Sequence, residues 1–129
     1  MNEEIKNLPT NSELEILQIL WEHRSATVRE VYESLKPERE TGYTTTLKTM
    51  QIMTEKGMLW RDTSSRTHIY KPLITREKTQ KHFLNKMIDG LFSGSASSLV
   101  IGALGNQQLS GDDIIEIRNY LNQFENKKP

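Results

Sequence analysis

The chain has 129 residues, 17 basic and 17 acidic side chains, and no cysteine, which fits one compact domain or a small domain with an oligomerisation appendage. Without cysteine there is no disulfide framework, zinc finger, iron–sulfur cluster or thiolate copper or redox site, and His23, His68 and His82 lack paired ligand spacing, so neither a metal nor a cofactor is expected. No run of about 18 apolar residues occurs, and the start Met1-Asn2-Glu3-Glu4 has neither the cationic nor the apolar part of a signal peptide, which makes a cytoplasmic location the expectation.

Thr10 and Glu13 stand at capping-box spacing, so a first helix should open there and carry Leu14, Leu17, Leu20 and Trp21 on one face, widened by Ile16 and Ile19, until Ser25-Ala26. Thr27 and Glu30 repeat the box. A second helix follows, with Val28, Val31, Tyr32 and Leu35 at i, i+3, i+4 and i+7, and Pro37 should stop it. A polar link from Pro37 to Gly42 leads into a third helix, on which about 100° per residue puts Thr46, Met50, Met53 and Gly57 toward the core. Thr44, Thr45, Lys48 and Gln51 fall on the opposite side, with Leu47, Thr49 and Ile52 at the margins. Gly57 can take the left-handed conformation that ends a helix, and Met58 to Asp62 should then pair with Thr67 to Lys71 across Thr63-Ser64-Ser65-Arg66.

Three helices and a hairpin in that order predict a mainly α fold with a small β element: a winged helix-turn-helix domain over residues 1–74 and a helical dimerisation domain over 75–129. In the second part Phe83, Leu84, Met87, Ile88, Leu91 and Phe92 make a broad double stripe on a long fourth helix. Gly90, Ser93, Gly94 and Ser95 loosen the chain before the apolar run Leu99 to Leu104, and Ser110 with Asp113 caps a last helix bearing Ile114, Ile117, Leu121 and Phe124, followed by a frayed tail.

The zero net charge conceals a segregation that suits a nucleic-acid partner. Residues 1–40 hold Lys6, Arg24, Arg29, Lys36 and Arg39 against Glu3, Glu4, Glu13, Glu15, Glu22, Glu30, Glu33, Glu38 and Glu40, an excess of four acids. Residues 41–71 hold Lys48, Lys56, Arg61, Arg66 and Lys71 against Glu55 and Asp62, an excess of three bases. In a helix-turn-helix the third helix enters the major groove, where a threonine hydroxyl can bond either base type and its methyl can pack on thymine. That assigns Thr44 and Thr45 to base edges, with Lys48 and Gln51 one turn on. Tyr43 could reach phosphate through its hydroxyl, Arg66 at the hairpin tip and Arg61 suit the backbone or minor groove, and Thr27 and Arg29 suit positioning contacts to phosphate.

Simpler readings stand beside these. Thr44 to Thr46 could be a solvated helix start, and Arg66 an ordinary turn residue, while Met50, Met53, Tyr70, Trp21 and Trp60 read as structural. The carboxyl-terminal stripes are more apolar surface than some fifty residues can bury alone, which points to an isologous homodimer through Phe83, Met87, Leu91, Leu99, Val100, Ile101, Leu104, Ile114, Ile117, Leu121 and Phe124. The alternative is that these helices fold back on the amino-terminal domain.

Glu13-Leu14-Glu15-Ile16-Leu17 with Leu20-Trp21, Thr27-Val28-Arg29-Glu30-Val31, Tyr43-Thr44-Thr45 through Lys56-Gly57, and Arg66 with Tyr70 and Pro72 together resemble the BlaI/MecI/CopY family of bacterial repressors. Asp89 to Ser95 and Leu99-Val100 extend the resemblance over nearly the whole chain. It implies a winged-helix dimer that binds an inverted-repeat operator with TACA and TGTA half-site elements and represses adjacent genes. Several relatives are paired with a membrane metalloprotease receptor that cuts the dimerisation region at an Asn-Phe bond shortly after the Leu-Val pair. This chain has Gly102-Ala103 there, and it lacks the cysteine cluster of copper-responsive relatives. The expectation is therefore a DNA-binding repressor without cofactor; a winged-helix protein-docking module is the alternative. An enzyme is not expected, because no nucleophile with base, carboxylate pair or phosphate cradle has fitting spacing.

Overall fold

A computed structural model describes residues 8–35 and 42–127. In chain order the elements are α1 (Asn11–His23), α2 (Val28–Ser34), α3 (Tyr43–Glu55), β1 (Leu59–Asp62), β2 (Ile69–Pro72), α4 (Arg76–Leu91), α5 (Ala96–Asn106) and α6 (Gly111–Asn126). Pro37, expected to stop the second helix, most of the link to Gly42, and the last two residues of the tail lie outside the described residues. The chain divides into two compact units, Met1–Asn85 and Lys86–Pro129, with the division inside α4.

The first unit is a winged helix-turn-helix. Both expected capping boxes form: the Thr10 hydroxyl accepts from Glu13 N–H while the Glu13 carboxylate accepts from Thr10 N–H, and Thr27 and Glu30 do the same for α2. Between these helices the backbone turns sharply, with Arg24 at φ 73° and its N–H bonded to Leu20 O at 2.7 Å. The core is built from Ile16, Leu17 and Leu20 of α1, Ala26, Val28 and Val31, Met50 and Met53 of α3, then Met58, Leu59 and Tyr70. Ala26 also exchanges two backbone hydrogen bonds with Tyr70, at 3.0 and 2.8 Å, so the turn between α1 and α2 docks on β2 as a one-residue strand.

Two local expectations need correction. Gly57 does end α3 in the left-handed region, φ 83°, with Met58 N–H returning to Met53 O at 2.9 Å, but it lies exposed rather than toward the core, because the chain has already left the helical path. The hairpin pairs Leu59 with Pro72, Trp60 with Lys71, Arg61 with Tyr70 and Asp62 with Ile69, so the loop is Thr63 to His68, two residues longer than expected. A two-residue displacement keeps every side chain on its face, which is why burial of Tyr70 fits either register.

Trp21 donates its indole N–H to Ile74 O at 2.8 Å and lies under the Arg76 guanidinium, fastening the end of the wing to α1. Trp60 instead stands exposed on the outer hairpin face with the Lys71 ammonium over its ring at 5.5 Å.

Taken by itself, the second unit contains the end of α4, then α5 and α6. Ser93 at φ 51° and Gly94 at φ 82° end α4 with Gly94 N–H bonded to Ile88 O at 2.9 Å, and Ser110 with Asp113 forms the capping box of α6. Among the described residues of this unit none is buried. Leu104, Leu109, Ile114, Ile117 and Leu121 line an open apolar groove of about 320 Å³ with Arg118 at its side.

Lys56 is bound to the buried Glu13 carboxylate at 2.9 Å, tying the end of α3 to the start of α1. Burial pushes the Glu13 carboxyl up, but the Thr10 N–H and the Lys56 ammonium outweigh it and hold the group below its ordinary value. A lowered folded value contributes stability above the unfolded pKa that is lost as pH falls through the folded one. Urea midpoints should therefore decline on acidification through the carboxylate range, and Glu13→Gln should flatten that decline. Lys56→Ala, which leaves the carboxylate without its cation, should cost about 1–3 kcal/mol in the same measurement.

Candidate nucleic-acid interface

The threonines of α3 divide by what their hydroxyls do. Thr46, Thr49 and Thr54 donate to the carbonyls four residues back, Gly42 O, Thr45 O and Met50 O, at 3.4, 2.8 and 2.8 Å. Thr44 and Thr45 are exposed, and among the described residues their hydroxyls have no partner. Lys48 and Gln51 share that open face, whereas Thr46, Met50 and Met53 are buried behind it. Four polar groups thus project from a helix whose back is fixed by the core.

Beside this face a cleft of about 640 Å³ lies between the start of α2, the start of α3 and the wing loop. It brings together Thr27, Arg29, Tyr43 and Arg66. The Tyr43 ring is a platform: the Arg29 guanidinium sits over it at 4.9 Å, and the Tyr32 ring meets it edge-on at 5.8 Å. Arg29 also reaches the Glu33 carboxylate at 3.9 Å, an exposed pair of one helical turn. Tyr43 therefore serves by its face, a role additional to the hydroxyl contact expected from its position.

α3 begins without a side-chain cap, because Gly42 occupies the N-cap position and has none to offer. A Cβ added at Gly42 would meet nothing within 4 Å, so the fold itself does not require glycine there. The partial positive charge carried by the first amides of a helix therefore falls at the end of α3 that bears Thr44 and Thr45.

A sequence model described as the penicillinase repressor family matches residues 9–123. The chain belongs to this family. It is 28% identical to the penicillinase repressor of Bacillus licheniformis over 127 residues, 96% of this chain and 98% of that protein. Identity to the methicillin resistance regulatory protein MecI of Mammaliicoccus sciuri is 27% over 118 residues, 88% of this chain and 93% of the relative. Among solved structures, the DNA-binding domain of the repressor BlaI superposes with a TM-score of 0.50 at 23% identity, over 60% of this chain and 93% of that one. That likeness supports the winged-helix fold of the amino-terminal unit.

Of the nine residues singled out in the sequence, Thr27, Arg29, Tyr43 and Arg66 line the cleft, Thr44, Thr45, Lys48 and Gln51 share the exposed face of α3, and Arg61, half-buried in β1 opposite Tyr70, belongs to neither set. Conversely, Thr67 and His68 line the cleft without having been singled out, as does Leu47, which had been placed at the helix margin. A six-residue loop in place of four is what carries Thr67 and His68 there. Lys56, counted in the basic excess of residues 41–71, is occupied by Glu13 and offers less to an external anion.

The Tyr43 platform has a measurable energy. In a double-mutant cycle of Arg29→Ala and Tyr43→Leu followed by urea unfolding, the coupling should be about 0.5–1 kcal/mol in favour of the pair. A coupling of zero would mean the stacked geometry contributes nothing in solution.

Proposed function

We propose that this chain is a transcriptional repressor that binds an inverted-repeat operator as a homodimer in the cytoplasm. α3 reads the major groove of each half-site through Thr44, Thr45, Lys48 and Gln51, and Thr27, Arg29, Tyr43, Arg61 and Arg66 hold the backbone. The observation that carries the reading is the open face of α3: among the described residues, two unpartnered threonine hydroxyls, a lysine and a glutamine on a helix backed by the core, next to a cleft lined by Arg29 and Arg66 together with Glu30 and Glu33. Membership of the penicillinase repressor family supports it.

The dimer rests on the second unit. α5 and α6 leave Val100, Ile101, Leu104, Ile114, Leu121 and Phe124 exposed, and Met87 and Leu91 of α4 likewise. Phe83, Leu99 and Ile117 are half-buried in the single chain. An apolar surface of that extent with no buried residue beneath it is satisfied by a second copy, which also supplies the second reading head that a two-fold operator needs. A membrane metalloprotease sensor is the further partner that the family resemblance implies. Gly102-Ala103 lies inside α5, and no single helix among the described residues is long and apolar enough to cross a membrane. Reading DNA calls for neither a cofactor nor a catalytic group.

On a duplex carrying the promoter of its own operon, the protein should give retardation that survives excess non-specific DNA and weakens steeply with salt. Lys48→Ala and Arg66→Ala should each reduce the salt slope by about 1 without changing the melting temperature, and Thr45→Ala should cost about 1–3 kcal/mol of base discrimination. No retardation at moderate salt would favour a docking role for the same face. Leu121→Asp should convert the dimer to a monomer in sedimentation and weaken operator binding; an unchanged sedimentation coefficient would exclude α6 from the interface.

A further inference from the structure

The wing loop from Thr63 to His68 is exposed along its whole length and long for a hairpin connection. Burial does not hold it, so local hydrogen bonds must. Asp62, the last residue of β1, accepts the Ser64 N–H on Oδ1 at 2.9 Å. Beyond it the Ser65 hydroxyl donates to Thr67 O at 3.0 Å. These two separate bonds brace the chain between Asp62 and Thr67, the second spanning Arg66, and Arg66, Thr67 and His68 are the three loop residues that line the cleft with Thr27, Arg29 and Tyr43. The Ser64 N–H and then its hydroxyl, with lesser help from Lys71 and His68, hold the Asp62 carboxyl below its ordinary value, so the group is an anion at neutral pH.

A carboxylate beside a phosphate-binding surface repels phosphate. By charge alone Asp62 lowers affinity, and its removal should tighten binding. Its hydrogen bond argues the opposite sign. Given the DNA-binding role proposed above, we propose that Asp62 is a positioning residue of the interface: as acceptor for Ser64 N–H it orders the wing loop so that Arg66, Thr67 and His68 face the backbone. The order gained before binding outweighs the repulsion of one exposed charge, since a loop already in its bound shape loses less freedom when DNA arrives.

Alanine and asparagine at this position separate acceptor from charge. Asp62→Ala removes both, whereas Asp62→Asn keeps an oxygen for Ser64 N–H and removes the charge. On the promoter duplex Asp62→Ala should bind about 3- to 10-fold more weakly than the wild-type chain, the range expected for loss of one ordering hydrogen bond. Asp62→Asn should bind at least as tightly as wild type. In an Arg66→Ala background the Asp62→Ala effect should shrink, because Asp62 acts through the residues it places. The melting temperature, followed in parallel, should be the same for both Asp62 variants. The inference is overturned if Asp62→Ala binds as tightly as wild type or tighter, or if Asp62→Asn is as weak as Asp62→Ala. Failure of the wild-type chain itself to retard the duplex would overturn the repressor reading and this inference with it, whereas retardation by wild type combined with either of the preceding results would overturn the inference alone.

Discussion

The pair of backbone hydrogen bonds between Ala26 and Tyr70 is the joint on which the first unit depends. The two groups are 44 positions apart in the chain, yet they bring the turn of the helix-turn-helix into the sheet of the wing. Tyr70, the largest fully buried side chain, fills the space beneath that joint and touches the same core as Leu17, Leu20 and Met50. Without the joint, α2 would be one short helix of seven residues resting on its neighbours, well below the length at which helices are stable by themselves. With it, the start of α2 and the wing loop become two walls of one cleft. Fold and interface are thus consequences of the same contact.

Electrostatics follow from that geometry more than from charge counts. Lys56 is neutralised internally by Glu13, Arg29 is shared between the Tyr43 ring and Glu33, and Lys71 lies over Trp60. Each of these cations is restrained by a neighbour, and restraint has opposite effects on its availability. A buried ion pair removes charge from the surface. Stacking on an aromatic face leaves guanidinium N–H groups free to bond outward while reducing the rotamers that must be lost.

Local signals in the sequence were read well because their physics is local. The hydroxyl–carboxylate pairs Thr10/Glu13, Thr27/Glu30 and Ser110/Asp113 all cap helices, and the buried stripe Thr46, Met50, Met53 follows from helical geometry alone. The wing register was less legible: Thr63 to His68 is a run of polar residues with no apolar alternation to pin a pairing, so a four-residue loop and a six-residue loop look alike. The Glu13–Lys56 pair spans 43 positions and could not be read from spacing. Nor could the sorting of five threonines in α3, since whether a hydroxyl turns back to a carbonyl depends on its rotamer rather than on its neighbours in sequence. The outward set Thr44, Thr45, Lys48 and Gln51 was accessible as an exposed face; the Tyr32–Tyr43–Arg29 stack beside it, joining two helices, was not.

The bare start of α3 has a thermodynamic corollary. α1, α2 and α6 each open on a reciprocal cap, whose side-chain oxygen is worth about 0.5–2 kcal/mol over alanine but only roughly a few tenths over glycine. Gly42 forgoes it at the head of α3, although the space around it would admit a serine or aspartate. The first turn of α3 thus takes its order from the packing of Thr46, Met50 and Met53 behind it rather than from a cap of its own.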